Sequence, residues 1–158
     1  MFRNTLTAEM KAAMRAQDKL RLSTVRLIMA ALKERDIEAR GKGNMDGIAD
    51  ADIMSMIQGM VKQRKDSIVL YEQGGRLDLV EKEEAEIVIL KSFLPEQIDG
   101  EALQKVVADV IRELGASSLK DMGRVMAELR AKHAGSMDFS VAGTIVKQML
   151  VPAETSRG

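Results

Sequence analysis

The sequence predicts an all-α protein, a four-helix N-terminal unit followed by a small three-helix C-terminal bundle. Three observations carry this. Proline occurs at Pro95 and Pro152 and nowhere else. No stretch sustains the apolar–polar alternation of a half-buried strand. Helix caps and glycine breakers divide the chain into seven segments of helical length.

The first segment, near 5–16, carries Leu6, Met10 and Met14 on one stripe. The second opens at the cap-type residue Asp18 and runs to about 39, where Gly41 and Gly43 end it. A third runs from 50 to 73 and is stopped by Gly74 and Gly75, and a fourth spans 78–93, ahead of Pro95. Asp99 opens the fifth, which ends at Leu114-Gly115, a pairing suited to a glycine C-cap. Ser117 or Ser118 opens the sixth, closing before Gly135, and Asp138 or Ser140 opens the seventh, to about 151. The stretch FLPEQI marks a boundary, giving an N-terminal unit 1–95, a C-terminal unit 96–151 and a frayed tail 152–158. A unit of about 55 residues is marginal alone, so docking against the first four helices is expected.

Composition bounds the chemistry. The chain is 46% hydrophobic and 30% charged, which suits a packed core with a solvated surface. It has no cysteine, hence no disulfide, thiolate metal site or cysteine nucleophile. The longest apolar run, Leu27 to Leu32, is too short to span a bilayer, and no apolar signal region opens the chain. A cytosolic location without membrane attachment is expected. The net charge is zero but zoned: residues 1–42 hold ten Lys/Arg against five Asp/Glu, and residues 66–91 hold three against seven.

Catalytic constellations are weak. The single histidine, His133, falls at a helix end, where it favours the C-terminal dipole. A transition-metal site is not expected, nor any cofactor. The loop RGKGNMDG lacks the Ser or Thr and the preceding strand of a phosphate-binding loop, and reads as a plain connector. Ser117 and Ser118 are cap residues rather than nucleophiles. Arg64 shares a helical face with Ile53, Ile57, Met60 and Ile68, while Glu83 and Glu86 share one with Leu79, Leu90 and Leu94. These faces predict a partly buried ion pair of Arg64 with Glu83 or Glu86.

Two surfaces point toward nucleic acid. Lys19, Arg26, Lys33 and Arg40 recur at spacings of seven, with Arg15 one turn earlier, and form a basic ridge. Its alternatives are a solvated helix edge and a phosphate-tracking surface. In KDMGRVMAEL, Leu119, Met122, Met126 and Leu129 make a core stripe beside the small residues Gly123, Ala127 and Ala131. A glycine inside an exposed helix costs roughly 1 kcal/mol relative to alanine. Either a neighbouring helix crosses tightly at Gly123, or a sugar-phosphate backbone lies on the small stripe, held by Lys120, Arg124 and Arg130. Aromatic residues are few, so any RNA bound should be folded and met by its backbone rather than by stacked bases.

These motifs carry a resemblance. LRLSTVRLIMAALKERDIEA, VKQRKDSIVLYEQGGRLDLVEKEEAEIVIL, FLPEQI and GASSLKDMGRVMAEL together resemble the YqeY family, nearly end to end. The last motif, with Gly123, Val125, Met126 and Gly135, is similar to the tail domain of the B subunit of the glutamine-dependent tRNA amidotransferase. Ala142 and Gly143 depart from that tail pattern, which usually has valine and asparagine there. The resemblance implies an all-helical two-part fold and a link to tRNA, with tRNA or an amidotransferase or aminoacyl-tRNA enzyme as partner. Carbon–nitrogen ligase activity with glutamine as amido-N-donor is implied only within such a complex, since the chain lacks a glutaminase nucleophile set and an ATP-binding motif.

Overall fold

The computed structural model describes residues 1–151, and the frayed tail expected at 152–158 lies outside the described residues. Among these residues the chain forms α1 (Phe2–Ala16), α2 (Lys19–Gly41), α3 (Asp50–Gln73), α4 (Leu77–Lys91), α5 (Gly100–Leu114), a 3-10 turn at Leu119–Asp121, α6 (Met122–Lys132) and α7 (Phe139–Leu150). The described residues contain no strand. The chain divides between Pro95 and Glu96 into two compact units.

Local chemistry sets the helix ends. The Asp18 carboxylate accepts from the Arg21 backbone N–H at 3.1 Å, satisfying a donor that the first turn of α2 leaves without an intrahelical partner. Asp138 does the same for α7, accepting from Ser140 and Val141. Gly115 closes α5 in the left-handed conformation, φ 65°, where a side chain would be strained.

In the first unit α1 packs on α2, α3 on α4, and α2 against both members of the second pair. Leu6, Ile28, Ile53, Ile57, Val61, Ile87 and Leu90 form its core. The stripe expected on α1 needs one correction. Ala13 is buried and Met14 is 50% exposed. At 100° per residue, Ala13 falls about 20° from Leu6 around the helix, whereas Met14 falls about 80° away.

Glu86 is buried within this apolar interior. Arg64 donates from Nε to its Oε2 at 2.7 Å and from Nη1 to the Met60 carbonyl at 3.2 Å. Glu83 stands further off, its Oε2 4.0 Å from the same Nε. The pair joins α3 to α4 across their apolar faces, and Glu86 is the closer of the two expected partners.

The loop after α2 is more than a connector. Gly47 is buried at φ 82°, and a Cβ there would run into the Asp36 carboxylate. That carboxylate accepts from Arg3 Nη2 at 2.6 Å and from the Ile48 N–H at 2.9 Å, while Arg3 also donates to the Ile48 carbonyl at 3.0 Å. Asn44 closes the turn by donating to the Gly47 carbonyl at 2.9 Å. One glycine therefore lets the loop seal α1 to α2 through a shared carboxylate. Burial acts to raise the Asp36 pKa, but the bonds from Ile48 and Arg3 prevail and hold it below the ordinary 3.8.

In the second unit α7 packs on both α5 and α6, and α5 packs on α6. Leu103, Val107, Val110, Val125, Met126, Leu129, Met137, Ala142, Val146 and Leu150 form the core. The backbone also ties the entry of the unit to the α6–α7 loop. Ile98 N–H donates to the Ser136 carbonyl at 2.6 Å, and the Gln97 side chain donates to the Gly135 carbonyl at 2.7 Å.

Both polar devices of the first unit can be tested through stability. Gly47→Ala should lose about 1–3 kcal/mol in urea unfolding, combining left-handed strain with displacement of Asp36. Arg64→Leu should lose about 3–5 kcal/mol, because Glu86 remains buried without its partner. Arg64→Leu/Glu86→Leu should recover most of that loss. Equal losses in the single and double variants would show that neutralising Glu86 is not what Arg64 does.

Candidate nucleic-acid interface

The turn that precedes α6 is held by one carboxylate. Asp121 Oδ2 accepts from the backbone N–H groups of Ser117 and Ser118, at 2.9 and 3.3 Å. Its other oxygen accepts from Arg124 Nη2 at 3.1 Å. Those two backbone donors, aided by the guanidinium, hold the Asp121 carboxyl below its ordinary 3.8. The stabilisation is therefore present above pH 3.8 and is lost as pH falls through the lower, folded value. The spacing Ser118-Leu-Lys-Asp121 is a capping-box pattern, so this residue is detectable in the sequence.

Leu119 lies in the 3-10 turn, ahead of the first residue of α6. Leu119 is 47% exposed, which corrects its expected place in the core. Val125 takes that place and is buried with Met126 and Leu129, while Met122 is partly buried against them. Gly123, Ala127 and Ala131 then fall across the helix from the core and are exposed.

Of the two readings open at Gly123, the tight helix crossing is not found. No neighbouring atom lies within 4 Å of where a Cβ would stand. The close helical contact of this unit is instead at Gly143 of α7, whose Cβ position is 3.7 Å from Met126 Cε and 3.8 Å from Met122 Cε.

The cations around the small stripe differ in their freedom. Lys120 is exposed beside it, with no ion pair among the described residues. Arg124 is positioned by Asp121 and by the Leu114 carbonyl, to which Nη1 donates at 3.0 Å, yet its side chain is half exposed. Arg130 lies about 20° from Gly123 around the helix, with its guanidinium 5.6 Å from the centre of the Phe139 ring. That stacking has no signature in the sequence, because it depends on how α6 meets the start of α7. His133 caps the C-terminus of α6, its backbone N–H donating to the Leu129 carbonyl at 2.9 Å.

The second expected surface belongs to the other unit. Arg15, Lys19, Arg26, Lys33 and Arg40 line α1 and α2 there, Lys33 and Arg40 bordering a groove between the two helices. Arg64 and Glu86 form the pair that joins α3 to α4, with Glu83 4.0 Å from the same guanidinium. Among the described residues no group of His, Cys, Asp and Glu is arranged to hold a metal ion, and no helix is long and apolar enough to cross a membrane.

With open space above it, Gly123 should accept a methyl group at no steric cost. Gly123→Ala should stabilise the protein by up to about 1 kcal/mol through helix propensity alone, read as a rise in the urea midpoint. A loss of stability would mean that Gly123 packs against something after all.

A family model described as Yqey-like protein matches residues 3–150. The mitochondrial protein named altered inheritance of mitochondria protein 41 from Lachancea thermotolerans is 37% identical over 152 residues, covering 92% of this chain and 77% of that protein. Its namesake in Kluyveromyces lactis is 35% identical over 106 residues, covering 63% and 55%. The Saccharomyces cerevisiae protein of the same name is 24% identical over 151 residues, covering 92% and 79%. All three are named as mitochondrial, which overturns the cytosolic location expected from composition. With the match extending over nearly the whole described chain, the protein belongs to the YqeY family.

Proposed function

We propose that this is a non-catalytic, tRNA-associated helical protein, which lays α6 of its C-terminal unit against the sugar-phosphate backbone of folded RNA. The observation that carries the reading is the solvent-facing stripe Gly123, Ala127 and Ala131, beside an unpaired Lys120 and a positioned Arg124. A small-residue stripe permits close backbone approach, and Lys120 and Arg124 supply the charge that phosphates require. Phe2, Phe93 and Phe139 are at least partly buried, as is Tyr71, which supports recognition by backbone and shape rather than base stacking. The resemblance of GASSLKDMGRVMAEL to the tail domain of the tRNA amidotransferase B subunit favours tRNA as the RNA.

A second reading rests on Leu119, Val141 and Met149, all large apolar residues exposed in this unit. They suit an accessory component that acts within a larger enzyme, of the amidotransferase or aminoacyl-tRNA class. Carbon–nitrogen ligase chemistry with glutamine as donor would then belong to the complex.

Binding of total tRNA at two salt concentrations tests the first reading. Wild-type affinity should fall steeply with salt, as it does when phosphate contacts release counterions. Lys120→Glu should weaken binding and flatten that slope. Gly123→Leu, which has room to fold, should weaken binding by blocking the backbone. Circular dichroism must show both variants helical. No tRNA binding by the wild type at low salt, or unchanged binding by both variants, contradicts the reading.

A further inference from the structure

The first unit holds a feature that the RNA reading leaves unused. Between α1 and α2 runs an open groove of about 370 Å³, floored by Leu6, Met29, Leu32 and the 56% exposed Ile37. That volume falls in the range of small-molecule sites, roughly 300–1,000 Å³. Lys33 and Arg40 flank Ile37 on one face of α2, at i−4 and i+3, and line the same groove.

The charges in the groove do not cancel. Asp36 also lines it, but its carboxylate is engaged by Arg3 and by the Ile48 N–H. Arg3 pairs with Asp36, and Arg40 also favours its charged form from further off. The groove still holds three cations, Arg3, Lys33 and Arg40, against this one carboxylate, and neither Lys33 nor Arg40 makes an ion pair among the described residues. A nucleic-acid backbone would engage the cations and leave Ile37 and Met29 without apolar cover. A neutral apolar ligand would cover the floor while pulling two charges toward a poorly hydrated surface, at a desolvation cost. A molecule with an anionic head and a short apolar chain satisfies both.

We infer that the α1–α2 groove binds an anionic amphiphile, its carboxylate or phosphate held by Lys33 and Arg40 and its chain lying on Leu6, Met29, Leu32 and Ile37. The head group accepts charge-assisted hydrogen bonds from the two cations, and the chain removes Ile37 from water. The inference is independent of the RNA reading, which rests on residues of the other unit.

The test is a methyl NMR titration of the full chain with octanoate, octyl phosphate, octanol and inorganic phosphate. Octanoate and octyl phosphate should saturably shift the Ile37 and Met29 methyls. Octanol and inorganic phosphate should each bind at least about tenfold more weakly, since each offers one of the two required features. Lys33→Gln/Arg40→Gln replaces side chains that carry no ion pair, and should keep the helical circular dichroism while losing about tenfold in octanoate affinity. Octanol binding as tightly as octanoate, shifts confined to other regions, or no saturable shift would overturn the assignment. The four-ligand comparison in the wild type stands even if the double variant unfolds. Cosedimentation with phosphatidylglycerol vesicles then identifies the source. Vesicle binding that is lost in the double variant assigns the head group to a lipid surface. Binding of octanoate without vesicle binding assigns it to a free amphiphile.

Discussion

The carboxylate of Asp121 makes the structural decision on which the candidate interface depends. It draws together the N–H groups of Ser117 and Ser118 and the guanidinium of Arg124. Those bonds hold a 3-10 turn immediately before α6. Val125, Met126 and Leu129 are directed into the core, and Gly123, Ala127 and Ala131 into solvent. The same carboxylate positions Arg124 at the edge of the exposed stripe. Closing the turn before α6 and placing a surface cation are therefore consequences of one side chain.

The first unit uses charge differently. Glu86 enters an apolar interior and would cost several kcal/mol without Arg64. Its neutralisation joins α3 to α4. Asp36 performs a comparable task between α1 and α2, with Arg3 and the Ile48 N–H as partners and Gly47 as the residue small enough to let the loop arrive. Lys33 and Arg40 of the α2 ridge make no ion pair among the described residues and border the groove, Arg40 close enough to Asp36 to favour its charged form.

Much of this architecture is legible in the sequence because it is local. Asp18 and Asp138 cap the helices they precede, and α3 runs from 50 to 73 as the breakers imply. Periodicity of 100° alone places Arg64 and Glu86 on facing apolar stripes, since both helices are regular where they meet. Legibility fails where the period changes or where the partner is distant in sequence. Leu119 reads as a core residue of the sixth helix but lies in the 3-10 turn ahead of α6, where it is 47% exposed. The loop at 41–49 reads as a connector because the residues that order it, Arg3 and Asp36, lie on other elements. Gly123 and Gly143 are indistinguishable in sequence, since both sit inside helices. Only the packing of α6 on α7 shows that Gly143 faces a neighbour and Gly123 does not. Composition carries no information on compartment, and the names of the relatives correct that expectation.

The small-residue face of α6 is, on this reading, kept open for a partner rather than for the fold. Chemical-shift mapping of the full chain with added tRNA tests that claim most directly, because the glycine amides can be followed individually. Gly123, Ala127 and Ala131 should shift together with Lys120 and Arg124, while Gly143 and the buried Val125 move little. Shifts confined to the α2 ridge, or no shift at Gly123 under conditions where tRNA binds, would contradict it.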